Sequence, residues 1–172
     1  MDLKQLLHSL ELHQHAPTEQ WNPPYCGEIP LTITADGQWH YQGSPITRPA
    51  LVKLFASVLV REDADYYLIT PAEKVKITVV DAPLLITAWR ALESADGAVL
   101  QVTTNVDSQY PLSARYPLLV ENDVPYVVLD HGLTAKVHRN VYYQWVELAE
   151  HDPATGEVFL VSAGHRFVLG QS

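Results

Sequence analysis

Cysteine is nearly absent: the 172-residue chain holds one, Cys26. A lone cysteine excludes an internal disulfide and any zinc site built on cysteine pairs, and it fits a reducing cytoplasm. Positive charge is also scarce, with 11 Lys and Arg against 20 Asp and Glu and a net charge of −9. That deficit argues against nucleic acid as a partner, because phosphate-backbone binding needs many cationic contacts. No apolar run approaches the length needed to span a bilayer, and Met1-Asp2-Leu3-Lys4 does not open a secretory signal. The expectation is a cytoplasmic protein with no membrane partner. The eight glycines are too far apart for a GxGxxG or Walker loop, so the familiar phosphate cradles are missing.

Catalytic and metal signatures are missing as well. Cys26-Gly27 sits on an expected turn without a neighbouring base, and Cys26 is read as a packing residue. The eight histidines form no HExxH; His13 and His15 are two apart and point to different sides of a helix, and His40, His131, His138, His151 and His165 are scattered. Surface or hydrogen-bonded core roles suit them better than metal ligation. The acids Glu73, Asp81, Glu121, Asp123 and Asp130 fall at expected turns or strand ends, where carboxylates cap or solvate. The chain is therefore expected to carry no catalytic residues, no metal and no cofactor.

What the chain does contain is an apparent duplication. Ile29 to Gly43 and Tyr116 to Gly132 each read as a Pro-Leu strand, an acidic turn and a second strand ending at glycine. Each is followed by an arginine (Arg48, Arg139), an apolar run with helical spacing and two short strands, at 66–70 and 75–80 in the first copy and 158–162 and 166–169 in the second. The expected architecture is α+β, with two similar units, each a β-hairpin, a helix and two further strands. A central hairpin, Leu84 to Leu92 and Ala98 to Val106, joins them across the Asp96-Gly97 turn. The expected divisions are an N-terminal helix and Pro-rich connector at 1–27, a first unit at 28–83, linking strands at 84–115 and a second unit at 116–172.

Local signals fill in the details. Asp2 is placed to cap a helical arm in which Leu3, Leu6, Leu7 and Leu10 share a face, and Pro17 ends it. From Pro17 to Gly27 an irregular connector is expected. Ala35-Asp36-Gly37 supplies the tight reversal of the first hairpin, with Trp39 and Tyr41 on the face opposite His40. Thr47 is the expected N-cap of the next helix, with Pro49 in its first turn and Ile46 and Leu51 as a hydrophobic staple. Leu51, Leu54, Phe55, Val58 and Leu59 are the expected buried stripe of that helix. A second helix is expected near 135–149, although its β-branched and aromatic content leaves a strand open.

One constellation suits an anion. Gly43-Ser-Pro-Ile-Thr-Arg-Pro49 places Ser44, Thr47 and Arg48 at a helix start, and Arg139 stands in the corresponding region of the second copy. The plainer alternative is a capped helix whose Arg48 pairs with one of the chain's own acids.

Several segments in fixed order, Cys26-Gly-Glu-Ile29, Asp36 to Arg48, Leu51 to Ser57, Tyr67 to Lys74, Val80-Asp-Ala-Pro83, Arg139-Asn-Val-Tyr-Tyr143 and Ser162-Ala-Gly164, carry a family resemblance. From about Pro23 onward the chain resembles the bacterial domain-of-unknown-function family numbered twelve eighty-five. The resemblance implies a two-domain α+β fold with repeated motifs, no established enzyme activity and a link to regulation or signal transduction. It brings no catalytic residues. Thr47 stands where many relatives are expected to have glycine, which favours a capping role. The leading functional expectation is a non-enzymatic regulatory or ligand-binding module that takes a small anionic ligand or a protein partner. The alternatives are a hydrolase or transferase whose site assembles only in the fold, and a protein-interaction or oligomerisation unit.

Overall fold

The computed structural model describes residues 2–10 and 15–171, so His13 lies outside the described residues. Asp2 begins helix α1 (Leu3–Leu10), its Oδ1 accepting from Gln5 N at 2.8 Å. A single 3-10 turn follows at Thr18–Gln20. The first unit comprises β1 (Tyr25–Ile33), β2 (Trp39–Tyr41), β3 (Ser44–Pro45), helix α2 (Pro49–Ala56), β4 (Leu59–Glu62), β5 (Asp65–Ile69) and β6 (Lys74–Val79). The second comprises β7 (Leu84–Ser94), β8 (Gly97–Thr104), β9 (Gln109–Pro111), β10 (Leu118–Glu121), β11 (Val124–Val128) and β12 (Thr134–Val137). Helix α3 (Arg139–Leu148) and the strands β13 (Glu150–His151), β14 (Glu157–Ser162) and β15 (His165–Gln171) complete the chain. Among the described residues no helix is long and apolar enough to cross a membrane.

The duplication is present in a different register from the one expected. The first sheet runs β3-β2-β1-β6-β5-β4, and the second, read in the same sense, β9-β8-β7-β12-β11-β10. Each is a pair of three-stranded antiparallel meanders joined by one parallel pairing, β1 with β6 and β7 with β12. The same bond closes both, Val80 N to Ile33 O and His138 N to Ile86 O, each at 3.0 Å. The counterpart of β1–β6 is therefore β7–β12, not the segment 116–169. The expected central hairpin forms, and it lies in the interior of the second sheet. Only the first unit carries a helix between its meanders; residues 112–117 take that place in the second. The third sheet, β13-β14-β15, has no counterpart and reaches β8 through Ala163 N to Ala98 O at 3.1 Å.

Several local expectations change for identifiable reasons. Strand β1 starts at Tyr25, so the connector is shorter than Pro17 to Gly27. Cys26 is exposed on that strand and does not pack in the core. Pro49 is the first helical residue of α2, so the N-cap is Arg48 rather than Thr47, and no side chain caps the helix. Moving the cap by one residue dissolves the Ile46–Leu51 staple. The buried face also differs from the expected stripe: Val52 and Phe55 pack on the core, Ala56 is buried, and Leu54 is 60% exposed. Leu59 is buried in β4 rather than on α2. Residues 134–137 are a strand and α3 begins only at Arg139, because β-branched Thr134 and Val137 bracket a segment that pairs in parallel with β7.

Apolar alternation on the strands builds one core shared by the two units. Leu31, Ile33, Leu68 and Ile77 from the first sheet join Ile86, Val102, Ala135 and Val137 from the second. Trp145 on α3 is fully buried, its ring edge-on to Trp89 on β7.

Candidate functional site

A cleft between the units forms where two similar turns converge. In the β1–β2 turn, Thr34 Oγ1 accepts from Gln38 N at 3.1 Å, and Gly37 takes φ +81°. In the β8–β9 turn, Thr104 Oγ1 accepts from Ser108 N at 3.2 Å, and Asp107 takes φ +65°. Asn105 ties them together: its Nδ2 donates to Gly37 O at 3.2 Å, its Oδ1 accepts from Leu85 N at 3.0 Å, and its own N–H donates to Leu85 O at 2.9 Å. Glycine suits the position through its φ of +81°, and a Cβ would also press on the movable end of Leu85, 2.8 Å from Cδ1.

Above this clasp is a cleft of ≈ 380 Å³. Its walls come from Gln38 and Trp39, from Ile46 and Thr47, from Val52 and Lys53 on α2, and from Val106 and Asp107 of the second unit. Trp39 is 2% exposed, its ring packs on Phe55, and its Nε1 is buried with no hydrogen-bond partner among the described residues. Lys53 Nζ meets Asp107 at 2.7 Å, a pair whose side chains are 48% and 74% exposed. So open an ion pair contributes only about 0–1 kcal/mol. The pair is therefore easily broken.

The four sequence-predicted residues do not assemble. Thr47 lines the cleft, whereas Ser44, Arg48 and Arg139 are exposed outside its lining, Arg139 at the start of α3. The Arg48 side chain makes no ion pair or hydrogen bond with another described residue, so no described acid partners it. The helix start is a poor anion nest, because Pro49 has no N–H and Leu51 N already donates to Arg48 O at 3.1 Å. Sequence reading missed Lys53, Asn105 and Asp107. The available signal was Thr104-Asn-Val-Asp107, a turn after a strand with side chains that tolerate positive φ. Neither Cys26 nor any histidine lines the cleft. Among the described residues no three His, Cys, Asp or Glu side chains are grouped to hold a metal ion.

A second polar cluster joins the units. Asp81, just after β6, accepts from Tyr126 Oη at 2.9 Å and from Lys136 Nζ at 3.1 Å. Burial, then the bond to Asp81 and its charge, push the Tyr126 phenol up to about 12. A raised value favours the neutral phenol, so its stabilising effect is complete below the ordinary tyrosine value and is lost as pH rises through about 12. In an absorbance titration of the phenols, Asp81→Asn should move the Tyr126 ionisation back toward the ordinary value. An unchanged titration would mean that burial alone sets it.

Two family models cover the chain. Residues 16–82 match the model described as domain of unknown function (DUF1285), N-terminal domain, and residues 83–169 match protein of unknown function (DUF1285), C-terminal domain. Their boundary falls between β6 and β7. A crystal structure of a DUF1285 family protein from Silicibacter pomeroyi DSS-3 superposes with a TM-score of 0.83 at 35% identity, covering 99% of this chain and 96% of that one. A DUF1285 family protein from Shewanella baltica OS155 gives 0.60 at 34% identity, over 69% of this chain and 91% of that one. No curated protein matches the sequence.

Proposed function

The chain belongs to the DUF1285 family, and from its geometry we propose that it is a non-enzymatic regulatory module that binds a small anionic ligand between its two units. The carrying observation is the cleft itself, which takes walls from both units and holds a lysine opposed only by an exposed, displaceable carboxylate. Its other walls supply an apolar surface at Ile46, Val52 and Val106, and hydroxyl and amide groups at Thr47, Gln38 and Asn105. These suit a carboxylate or phosphate on a compact apolar body. A ligand in such a cleft touches both units at once, a means of coupling occupancy to their relative arrangement that suits regulation or signalling. The exposed thiol of Cys26 fits work in the reducing cytoplasm.

Calorimetry with small carboxylates and inorganic phosphate tests the reading. Lys53→Ala should weaken the binding of any ligand found by about ten- to a hundred-fold, the scale of a charged hydrogen bond at roughly 1.5–3 kcal/mol. Arg48→Ala should leave the melting temperature unchanged, since the side chain has no ion-pair or hydrogen-bond partner among the described residues, and weaken binding less than Lys53→Ala. Equal affinity in the wild type and Lys53→Ala would remove the cleft from consideration.

A further inference from the structure

His15 lies where three parts of the chain meet. Its Nδ1 is 2.8 Å from Ala16 O and its Nε2 is 2.8 Å from Leu59 O at the start of β4. The next residue is fixed to the same place, Ala16 N donating to Ser57 O at 2.8 Å. Against the face of His15 lies the ring of His131, with centroids 3.7 Å apart and planes 15° from parallel. His131 belongs to the β11–β12 turn of the second unit, at φ +61°, and its carbonyl accepts from Arg61 N at 3.0 Å. The stack thus joins the N-terminal segment, the first unit and the second.

Both nitrogens of His15 face carbonyl oxygens, which only accept. A neutral imidazole has a single N–H and serves one of them; the protonated ring serves both. Stacked at this distance, a positive charge on either ring disfavours a charge on the other. Burial first, and then the neighbouring His15, hold His131 below the ordinary histidine value. The carboxylates facing it, Glu19 of the 3-10 turn and Asp130 of its own turn, act the other way and are outweighed. Asp130 is already engaged by Tyr116 Oη at 2.7 Å and by Arg115. On β4, the Arg61 guanidinium turns to Asp63 O, with Nε donating at 2.8 Å, and lies over the Tyr66 ring.

We propose that the His15–His131 stack is a pH-sensitive latch: the stacked pair accommodates at most one positive charge, so further protonation in mild acid sets two like charges face to face and frees the His15–Thr18 segment from β4. The sign follows from the lowered value of His131. Its contribution is complete above the ordinary histidine value of 6.5 and is lost as pH falls through the lower value that it has in the folded protein. The latch joins both units to the chain's N-terminal segment, so its opening is a local event that leaves the shared core in place.

Amide hydrogen exchange on the full-length protein, corrected for intrinsic rates, tests the latch at Ala16. Its protection should fall about ten-fold or more between about pH 7 and about pH 5, while the amides of β8 keep theirs. His131→Phe retains a flat ring against His15 and takes no proton, so the pH dependence at Ala16 should vanish. Constant protection in the wild type, an equal fall in His131→Phe, or a matching loss across β8 would each overturn the proposal. If that variant does not fold, the imidazole titration of the wild type decides: His131 titrating at or above the ordinary histidine value also overturns it.

Discussion

Alanine in place of Gly132 is expected to lower stability by roughly 2–4 kcal/mol, combining a left-handed backbone with overpacking. Gly132 has φ +74°, and a Cβ there would sit 2.8 Å from the backbone carbonyl oxygen of Arg61. That oxygen cannot rotate aside as a side chain would. It is held on β4, where Arg61 N is bonded to His131 O at 3.0 Å. Gly43 provides the control: its φ is +82°, and a Cβ would meet nothing within 4 Å. Gly43→Ala should cost only the conformational part, about 1–2 kcal/mol. Denaturant midpoints of the two variants measure the difference. Equal losses would show that the β4 contact with the β11–β12 turn yields freely.

Removal of a single hydroxyl at Ser162 should cost about 2–4 kcal/mol, because it leaves two buried backbone groups without partners. Ser162 is fully buried, its Oγ accepting from Leu100 N at 2.8 Å and donating to Leu112 O at 2.6 Å. Leu100 and Leu112 keep one direct bond, Leu112 N to Leu100 O at 2.8 Å. The hydroxyl completes the other half of what would be an ordinary strand pair, and so fastens the third sheet to the second. Ser162→Ala keeps the backbone and nearly all the volume, which isolates the hydrogen bonds. A fall below about 1 kcal/mol in chemical denaturation would mean that the two groups find other partners.

Local chemistry was legible where neighbouring residues decide it. Asp36-Gly37 and Asp96-Gly97 place their turns, and the alternation from Tyr66 to Val79 gives β5 and β6. Pro49 held the information for α2, since a proline is most at home as the first helical residue, and that alone makes Arg48 the cap. The apolar spacing that groups Leu51, Leu54 and Phe55 does not distinguish that face from the neighbouring one of Val52, Phe55 and Ala56, which is the one buried. The register of the repeat was not legible for a deeper reason. The parallel pairs β1·β6 and β7·β12 join strands at opposite ends of their units and leave no mark in any short window of sequence. Similar helices at Arg48 and Arg139 then suggested a correspondence that the sheets do not have. The cleft was half legible: Thr47 was found from its neighbours, whereas Lys53 and Asp107 are brought together only when the second unit docks on the first.

The parallel seam at the middle of each sheet also governs when the fold can form on the ribosome. Until Lys74–Val79 has left the exit tunnel, β1 is paired on one side only, with β2, and its other edge stands bare. The second unit meets the same delay, since β7 waits for Thr134–Val137. Each unit therefore closes from its first strand to its last, with the largest loop-closure cost that its length allows. During that interval the open edges of β1 and β7 are the places where a nascent chain is most exposed to pairing with another copy.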